Sequence, residues 1–114
     1  MLTACGGTWE NLHMPANEVK AYVTAGLNGQ KQYPRKYPVS PIKITDEKSF
    51  VKAAEAALFP VYGEKKIKAE RPYTVGNADC YWLMTGHLWS DLGGVFYIMI
   101  NAKTGQVIYL THGK

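Results

Sequence analysis

The side chains that could carry out acid–base or nucleophilic chemistry are few, and they lie far apart in the sequence. Cys80 with His87 or His112 could form a nucleophile and its base. Asp91 with either histidine could form an acid–base pair. A cysteine on a strand, with no helix N-terminus beside it, is usually a packing residue, and no sequence feature selects Asp91 over other polar loop residues. These residues alone therefore do not predict an active site.

The motifs that assemble a metal, phosphate or acyl-enzyme site are absent from the sequence. It contains no Cys-x-x-Cys, no His-Glu-x-x-His, no Gly-x-Ser-x-Gly and no phosphate-binding glycine loop. Its three histidines, His13, His87 and His112, do not have the spacing of metal ligands. We therefore predict no catalytic residues, no metal site and no cofactor.

Composition and charge indicate a globular chain with a mild positive surplus. The 114 residues, 46% of them hydrophobic and 12% aromatic, suit one folded domain. Thirteen basic and nine acidic residues give a net charge of +4. Much of the surplus lies at Lys31, Arg35, Lys36, Lys43 and residues 65–68. Because no nucleic-acid motif accompanies it, we predict a solvated basic surface and no nucleic-acid partner. The positive sign also argues against a nucleic-acid mimic.

One cysteine lies in a motif that could attach the protein to a membrane. Residues 2–5, Leu-Thr-Ala-Cys, resemble the lipobox at which bacterial lipoprotein signals are cut and the cysteine is acylated. The charged start and apolar core of such a signal do not stand before it, so either the sequence begins inside a signal or the match is accidental. We expect lipidation of Cys5 and a membrane-anchored periplasmic protein, with a cytoplasmic protein as the alternative. A disulfide between Cys5 and Cys80 also stays open.

The last third of the chain has the pattern of antiparallel strands. Short runs of β-branched and aromatic residues alternate with glycine and asparagine. The runs occupy residues 71–75, 80–86, 93–100 and 106–112. We predict that they form a four-stranded meander, with a turn at residues 76–77 and a glycine of positive φ at Gly105. The third run is apolar on both faces, with Tyr97 on one and Phe96 on the other, so it should be a central strand covered on both sides.

One helix is predicted to cover this sheet. Thr45 can cap it, and two acidic residues follow at the positive end of its dipole. Its apolar stripe has helical spacing and consists of Phe50, Ala54, Ala57 and Leu58. We expect residues 46–59 to be helical, with Pro60 ending or kinking the helix. Trp82 of the sheet should face this helix.

The first part of the chain has weaker patterns. Residues 1–14 are predicted to be a tether. Asn17 could cap a short helix that ends near Gly26, and a hairpin turning at residues 28–29 is the alternative. Residues 30–43 contain three prolines and are predicted to form an extended connector or edge strand.

These patterns predict two parts. Residues 1–41 would form an N-terminal tether and a Pro-rich extended segment, and residues 42–114 would form an α+β domain.

Several short pieces follow the main helix in a fixed order. They are Pro-Val-Tyr-Gly at 60–63, Arg-Pro-Tyr at 71–73, Trp82-x-Met84-x-Gly86, Gly-Gly-Val at 93–95, Thr-Gly-Gln-Val at 104–107 and His-Gly-Lys at 112–114. With the Ala-rich helix, they make residues 42–114 resemble the bacterial polymorphic-toxin immunity proteins that have a nuclear transport factor 2-like (cystatin-like) fold. Residues 1–41 have no clear counterpart in that resemblance.

The resemblance implies an α+β fold in which one main helix packs on a four-stranded antiparallel meander sheet. It also implies a non-enzymatic protein that binds a cognate toxin domain and neutralises it stoichiometrically. Interfaces of this kind concentrate on a few aromatic or Arg anchors. We therefore expect toxin contacts at sheet tyrosines that are exposed, Tyr81, Tyr97 and Tyr109, with His112 and Lys114 at the rim.

Two alternatives from other classes stay open. The first is a small enzyme of the same superfamily fold, with an acid–base pocket on the concave side of the sheet. The second is a periplasmic module resembling peptidase-inhibitory propeptide domains. Under the toxin hypothesis, the positive net charge suits a neutral or acidic toxin better than a basic nuclease. Export would favour a toxin that acts on the cell envelope.

Overall fold

The computed structural model describes residues 10–89 and 93–113 of the chain. These residues form an α+β fold in which helices cover both faces of one sheet. In chain order the elements are β1 (Leu12–His13), α1 (Ala16–Gln32), α2 (Glu47–Tyr62), α3 (Glu64–Lys68), β2 (Thr74–Ala78), β3 (Tyr81–Thr85), β4 (Phe96–Asn101) and β5 (Val107–His112).

The sheet has the order β1-β2-β3-β4-β5. Strands β2 to β5 pair antiparallel in sequence order, which confirms the predicted meander. The short β1 adds a fifth strand, parallel to β2, where a tether was predicted. The turn between β2 and β3 lies at Asp79 and Cys80, and not at residues 76–77 as predicted, because Gly76 pairs with Leu83 inside the ladder. Gly105 has the predicted positive φ, 75°.

The main helix confirms the predicted element, with two corrections at its ends. Asp46 caps it in place of Thr45: its side chain accepts a hydrogen bond from Ser49 N, and the Ser49 hydroxyl accepts one from Asp46 N. Pro60 was expected to end or kink the helix; the helix does not end there and continues to Tyr62. Pro60 removes one amide donor close to the C-terminus, and Gly63 N still donates to Phe59 O at 2.8 Å.

The face of the sheet beneath α2 holds the larger core. Phe50 and Leu58 of the predicted stripe are fully buried, and so are Phe96 and Ile98 of β4. Trp82 faces α2 as predicted, with its ring centroid 5.5 Å from that of Phe50. Its own side chain is only partly buried.

Helix α1 covers the opposite face. The predicted short helix ending near Gly26 was too short, since α1 runs to Gln32, and the alternative hairpin at residues 28–29 is wrong. Its residue Val19 packs with Leu83, Tyr97 and Met99 of the sheet. The boundary between residues 1–41 and 42–114 stays a prediction, although α1 packs on strands that belong to the second part.

The Pro-rich segment after α1 runs beside β5, the outer strand of the sheet. It has no regular structure apart from a bridge between Val39 and Gln106. Ser40 N donates to Gly105 O at 2.8 Å, and Gln106 Nε2 donates to Tyr37 O at 2.9 Å. These bonds hold residues 33–41 against the β5 edge, in agreement with the predicted extended connector, but residues 30–32 of the predicted segment belong to α1.

Candidate functional site: a groove along strand β5

An open groove of about 500 Å³ lies where three parts of the chain meet. Its walls come from the segment after α1, from the C-terminal end of α2 and from β5. We call it the β5 groove. Its lining residues are Tyr33, Arg35, Lys36, Tyr37, Val61, Tyr62 and 109–112.

Hydrogen bonds from Gln30 and Tyr37 fix the position of the basic wall. The Gln30 side chain donates to the Ile108 carbonyl of β5 and accepts from Arg35 N at 2.8 Å. Tyr37 Oη donates to the Leu110 carbonyl at 3.4 Å. The last turn of α1 and the residues after it are therefore attached to the strand that forms the groove floor.

The groove is basic and aromatic. Its two charged side chains, Arg35 and Lys36, are exposed, and none of its lining residues is acidic. Tyr33 is 62% exposed. Burial raises the pKa of Tyr62 above its ordinary value, while the nearby positive charge of Arg35 acts to lower it. The groove therefore presents positive charge and neutral phenol groups, which is a chemistry suited to an acidic protein surface.

His112 forms the inner end of the groove and is not the exposed rim residue that we predicted. Its Nε2 atom lies 2.7 Å from Glu70 Oε2, and the two side chains are only 10% and 11% exposed. Its Nδ1 atom lies 2.6 Å from the Gly113 carbonyl. Glu70 Oε1 accepts from Phe96 N at 3.0 Å. The pair thus joins the end of β5 to the start of β4 and to the loop after α3.

A second, apolar cavity of about 190 Å³ adjoins the groove. Pro38, Ala56 and Pro60 line it, and we call it the Pro60 cavity. It shares Tyr37, Val61 and Leu110 with the β5 groove, so the two spaces are neighbours. A ligand in the groove would have an apolar recess beside it.

The structure brings together only two of the predicted toxin-contact residues. Tyr109 and His112 both line the β5 groove. Tyr81 lies at the other end of the sheet, where it pairs with Asn101. Tyr97 was predicted to be exposed, and this is wrong: its side chain is 9% exposed beneath α1. Lys114 lies outside the described residues.

The reason for the burial of Tyr97 is the close approach of α1. Tyr97 Oη donates to the Tyr22 carbonyl at 2.7 Å. A Cβ atom at Gly26 would lie 2.3 Å from the Tyr97 hydroxyl oxygen, so only glycine leaves room for the Tyr97 ring. Gly29 leaves room for the Tyr109 ring in the same way: a Cβ atom at Gly29 would lie 2.7 Å from the Tyr109 Cζ atom. Burial raises the pKa of Tyr97 well above its ordinary value.

Among the described residues, Cys80, His87 and His112 do not come together in one site. Cys80 was expected to open a strand as a buried side chain, but it is partly exposed in the β2–β3 turn, in a cavity that no histidine lines. The His87 ring meets the Trp89 ring edge to face, at a centroid distance of 4.4 Å. Asp91 and Cys5 lie outside the described residues. Within those residues no group of three or more His, Cys, Asp or Glu could hold a metal ion.

Another buried polar cluster joins the loop before β2 to α2. Arg71 Nη2 lies 2.7 Å from Glu55 Oε2, and Tyr73 Oη donates to the same oxygen at 2.5 Å. Burial, and then the Glu55 carboxylate, raise the pKa of Tyr73 well above its ordinary value. Since Tyr73 is fully buried, this cluster supports the packing of α2.

Sequence reasoning missed the basic wall of the groove. Arg35 and Lys36 were counted in the charge surplus, but they were not assigned to a site. The available signal was the sequence Tyr33-Pro-Arg-Lys-Tyr37, in which two cations stand between tyrosines and before a second proline. The pattern could not show which surface this segment would meet.

Comparison with known proteins identifies the family. The sequence model of the family described as NTF2 fold immunity protein matches residues 50–114, more than half of the chain. The chain belongs to this family, which agrees with its α+β fold and with a general role in toxin neutralisation. The matched part begins inside α2, so α1 and the basic wall of the groove precede it.

Two proteins of Escherichia coli (strain K12) are similar to part of the chain. Uncharacterized protein YhhH is 34% identical over 55 residues, which are 46% of this chain and 43% of that protein. Uncharacterized protein YbbC is 32% identical over 73 residues, 62% of this chain and 60% of that protein. The chain thus spans less than two thirds of each relative. No solved structure matches it.

Across residues 10–89 and 93–113, no helix combines the length and the apolar character needed to cross a membrane.

Proposed function

We propose that this protein neutralises a cognate bacterial toxin domain by binding it one to one through the β5 groove. Membership of the immunity family supports the general role. The observation that carries the choice of surface is the groove itself, an open space that combines Arg35, Lys36 and Tyr33 with the predicted contacts Tyr109 and His112. Arginine and aromatic side chains are the usual energetic centres of protein interfaces.

The groove can hold a partner because its walls are fixed before binding. Gln30 and Tyr37 attach the basic wall to β5, and Glu70 holds His112 at the inner end. A preformed surface loses little conformational entropy on association. This arrangement supports inhibition by tight binding.

We also propose that the protein has no turnover of its own, as is general in its family. The buried carboxylates near the sheet are engaged: Glu70 by His112 and Phe96 N, and Glu55 by Arg71 and Tyr73. Both carboxylates therefore have hydrogen-bonding partners within the fold.

The function is tested by co-expressing the chain in a sensitive strain with the toxin domain encoded by the neighbouring gene. We expect survival that depends on this protein, and a one-to-one complex on a sizing column. Tyr33→Ala should weaken the complex. Trp89→Ala is a matched control, because Trp89 is also exposed, at 68%, and lies outside the groove. Killing that continues in the presence of the wild-type protein, with no complex formed, would reject the proposal.

For location, we propose lipidation at Cys5, supported by the lipobox-like residues 2–5. Export would place the protein where an envelope-acting toxin arrives. Expression of the full gene should put the protein in the membrane fraction, and Cys5→Ser should release it to the soluble fraction. A wild-type protein that stays soluble and unacylated would refute this.

A further inference from the structure

We propose that the toxin segment held in the β5 groove is acidic and inserts one apolar side chain into the Pro60 cavity. This inference rests on the proposed function and adds the chemistry of the partner. It commits to a protein segment with a carboxylate near a large apolar residue. The groove and the cavity each supply one part of that description.

The acidic character follows from the charge of the groove. Arg35 and Lys36 are its only charged lining side chains, and no salt bridge joins either of them to another described residue. Glu70, which contacts the groove residue His112, is held by His112 and Phe96 N. Two adjacent cations with no salt bridge to a described residue, in a groove whose lining contains no acidic residue, favour a carboxylate-bearing partner and oppose a basic one.

The apolar anchor follows from the lining of the Pro60 cavity. Its walls are almost entirely hydrocarbon: proline rings from the connecting segment face Ala56, Ala57 and Pro60 of α2. Val61 at its border is 58% exposed, and Val39 is 57% exposed. An aliphatic or aromatic side chain entering this recess would remove that surface from water, at a gain of about 25 cal/mol for each Å².

The β5 groove and the Pro60 cavity can bind one and the same toxin segment because they share a wall. Tyr37, Val61 and Leu110 line both spaces. A chain in the groove therefore passes the mouth of the cavity within a few residues of the basic pair. An apolar anchor flanked by charge is the usual composition of a specific interface centre and rim.

The test measures the affinity of the purified toxin domain for variants of the full-length chain. Arg35→Glu with Lys36→Glu reverses the groove charge and should weaken binding about tenfold, and added salt should weaken the wild-type complex more than the variant complex. Ala56→Trp fills the cavity from an exposed position on α2 and should weaken binding by about tenfold or more. Thermal unfolding verifies that each variant is folded.

Each variant has a matched control. Lys65→Glu with Lys66→Glu makes the same change in net charge at two exposed α3 lysines outside the groove lining. Ala21→Trp adds the same side chain at an exposed position on α1. Both controls should bind the toxin like the wild type. Short overlapping peptides from the toxin should then identify a binding segment that contains Asp or Glu close to a large apolar residue.

The possible outcomes separate this inference from the function beneath it. A complex whose affinity is unchanged by the charge reversal in the β5 groove, or by Ala56→Trp in the Pro60 cavity, would overturn the inference and leave toxin neutralisation standing. Binding peptides that are basic would also overturn it. So would binding of a single-stranded oligonucleotide that the charge reversal abolishes while toxin binding persists. If the wild-type chain forms no complex at all, the proposed function fails, and this inference fails with it.

Discussion

The two faces of the sheet are covered by helices that pack in different ways. Beneath α2, large apolar side chains meet one another, as Phe50 and Leu58 do with Ile98. Beneath α1, the helix contributes small residues, and Gly26 and Gly29 receive tyrosine rings from the sheet. Large side chains fill the interface between α2 and the sheet, whereas glycines let α1 approach the sheet closely. The same sheet therefore tolerates different substitutions on its two sides.

The two helices also begin differently. Helix α2 has the reciprocal cap between Asp46 and Ser49, whereas no side chain caps α1, which follows Pro15. Orphan amides at a helix start lower local stability unless they are capped. Because α1 lacks a side-chain cap and packs on the smaller core, we expect it to be attached to the sheet less strongly than α2. Since α1 leads directly into the basic wall of the groove, its attachment also affects the proposed binding surface.

The largest expected effect is on the α2 face. Phe50→Ala removes a fully buried ring that packs on Trp82, and it should lower the free energy of unfolding by about 3–5 kcal/mol. Denaturant titration measures this loss. Trp82→Ala should cost less, because Trp82 is only partly buried. A larger loss at Trp82 than at Phe50 would contradict the assignment of the core.

The next effect tests close approach on the α1 face. Gly26→Ala should destabilise the fold by about 1–3 kcal/mol, because the new methyl group collides with the Tyr97 hydroxyl and with Met99. Helix propensity alone would give the opposite sign, a gain of about 1 kcal/mol. Denaturant titration decides between these signs.

A second substitution sharpens the Gly26 result. Adding Tyr97→Phe to Gly26→Ala removes the oxygen nearest to the methyl group. The double variant should lose less stability than the sum of the single variants, which is a favourable coupling between contacting residues. Strict additivity would show that the two residues do not meet.

Alkaline pH should probe both faces through one buried tyrosine on each. Burial raises the pKa of Tyr73 and of Tyr97. The unfolded tyrosines release protons at a pH of about 10 while the folded ones retain them, so stability falls as the pH rises above that value. Tyr97→Phe should make this fall less steep, after an initial cost of about 1 kcal/mol for the lost hydrogen bond. Equal slopes for the variant and the wild type would contradict the burial of that hydroxyl.

The smallest expected effect concerns the α2 cap. The hydrogen bond from Ser49 N lowers the pKa of Asp46 below its ordinary value of 3.8. Its stabilising contribution is therefore present above that value and is lost as the pH falls through the folded-state pKa. Asp46→Asn keeps the cap but removes the titration. The variant should unfold at a slightly lower temperature near neutral pH, and the difference should disappear in acid.

The α2 face could be predicted from the sequence because its signals are local. The stripe that includes Phe50 and Leu58 has helical spacing, and β4 alternates between two apolar faces. The α1 face could not, because Gly26 and Gly76 look like breakers when only the sequence is known. Both glycines are needed because of tertiary contacts: a Cβ atom at Gly76 would lie 2.9 Å from the side chains of Val19 and Met14. Propensity contains no information about what packs against a glycine.

The candidate site was predicted only in part, because some of its residues have local signals and others depend on tertiary contacts. Tyr109 and His112 lie on a strand whose pattern was clear, and they line the groove. Tyr97 was assigned to the surface because the helix that buries it was predicted to end near Gly26. Arg35 and Lys36 were missed because their position depends on side-chain bonds from Gln30 and Tyr37 across more than 70 residues of sequence.

Hydrogen–deuterium exchange of the chain, alone and in complex with the neighbouring toxin domain, tests the central claim most directly. Binding of the toxin domain should slow exchange in the three walls of the groove, at residues 33–37, 61–62 and 109–112. Exchange in the outer face of α1 and in the loop at residues 86–89 should stay unchanged. Protection confined to that loop or to the α1 surface, with the groove exchanging as in the free protein, would contradict the β5 groove as the toxin-binding site.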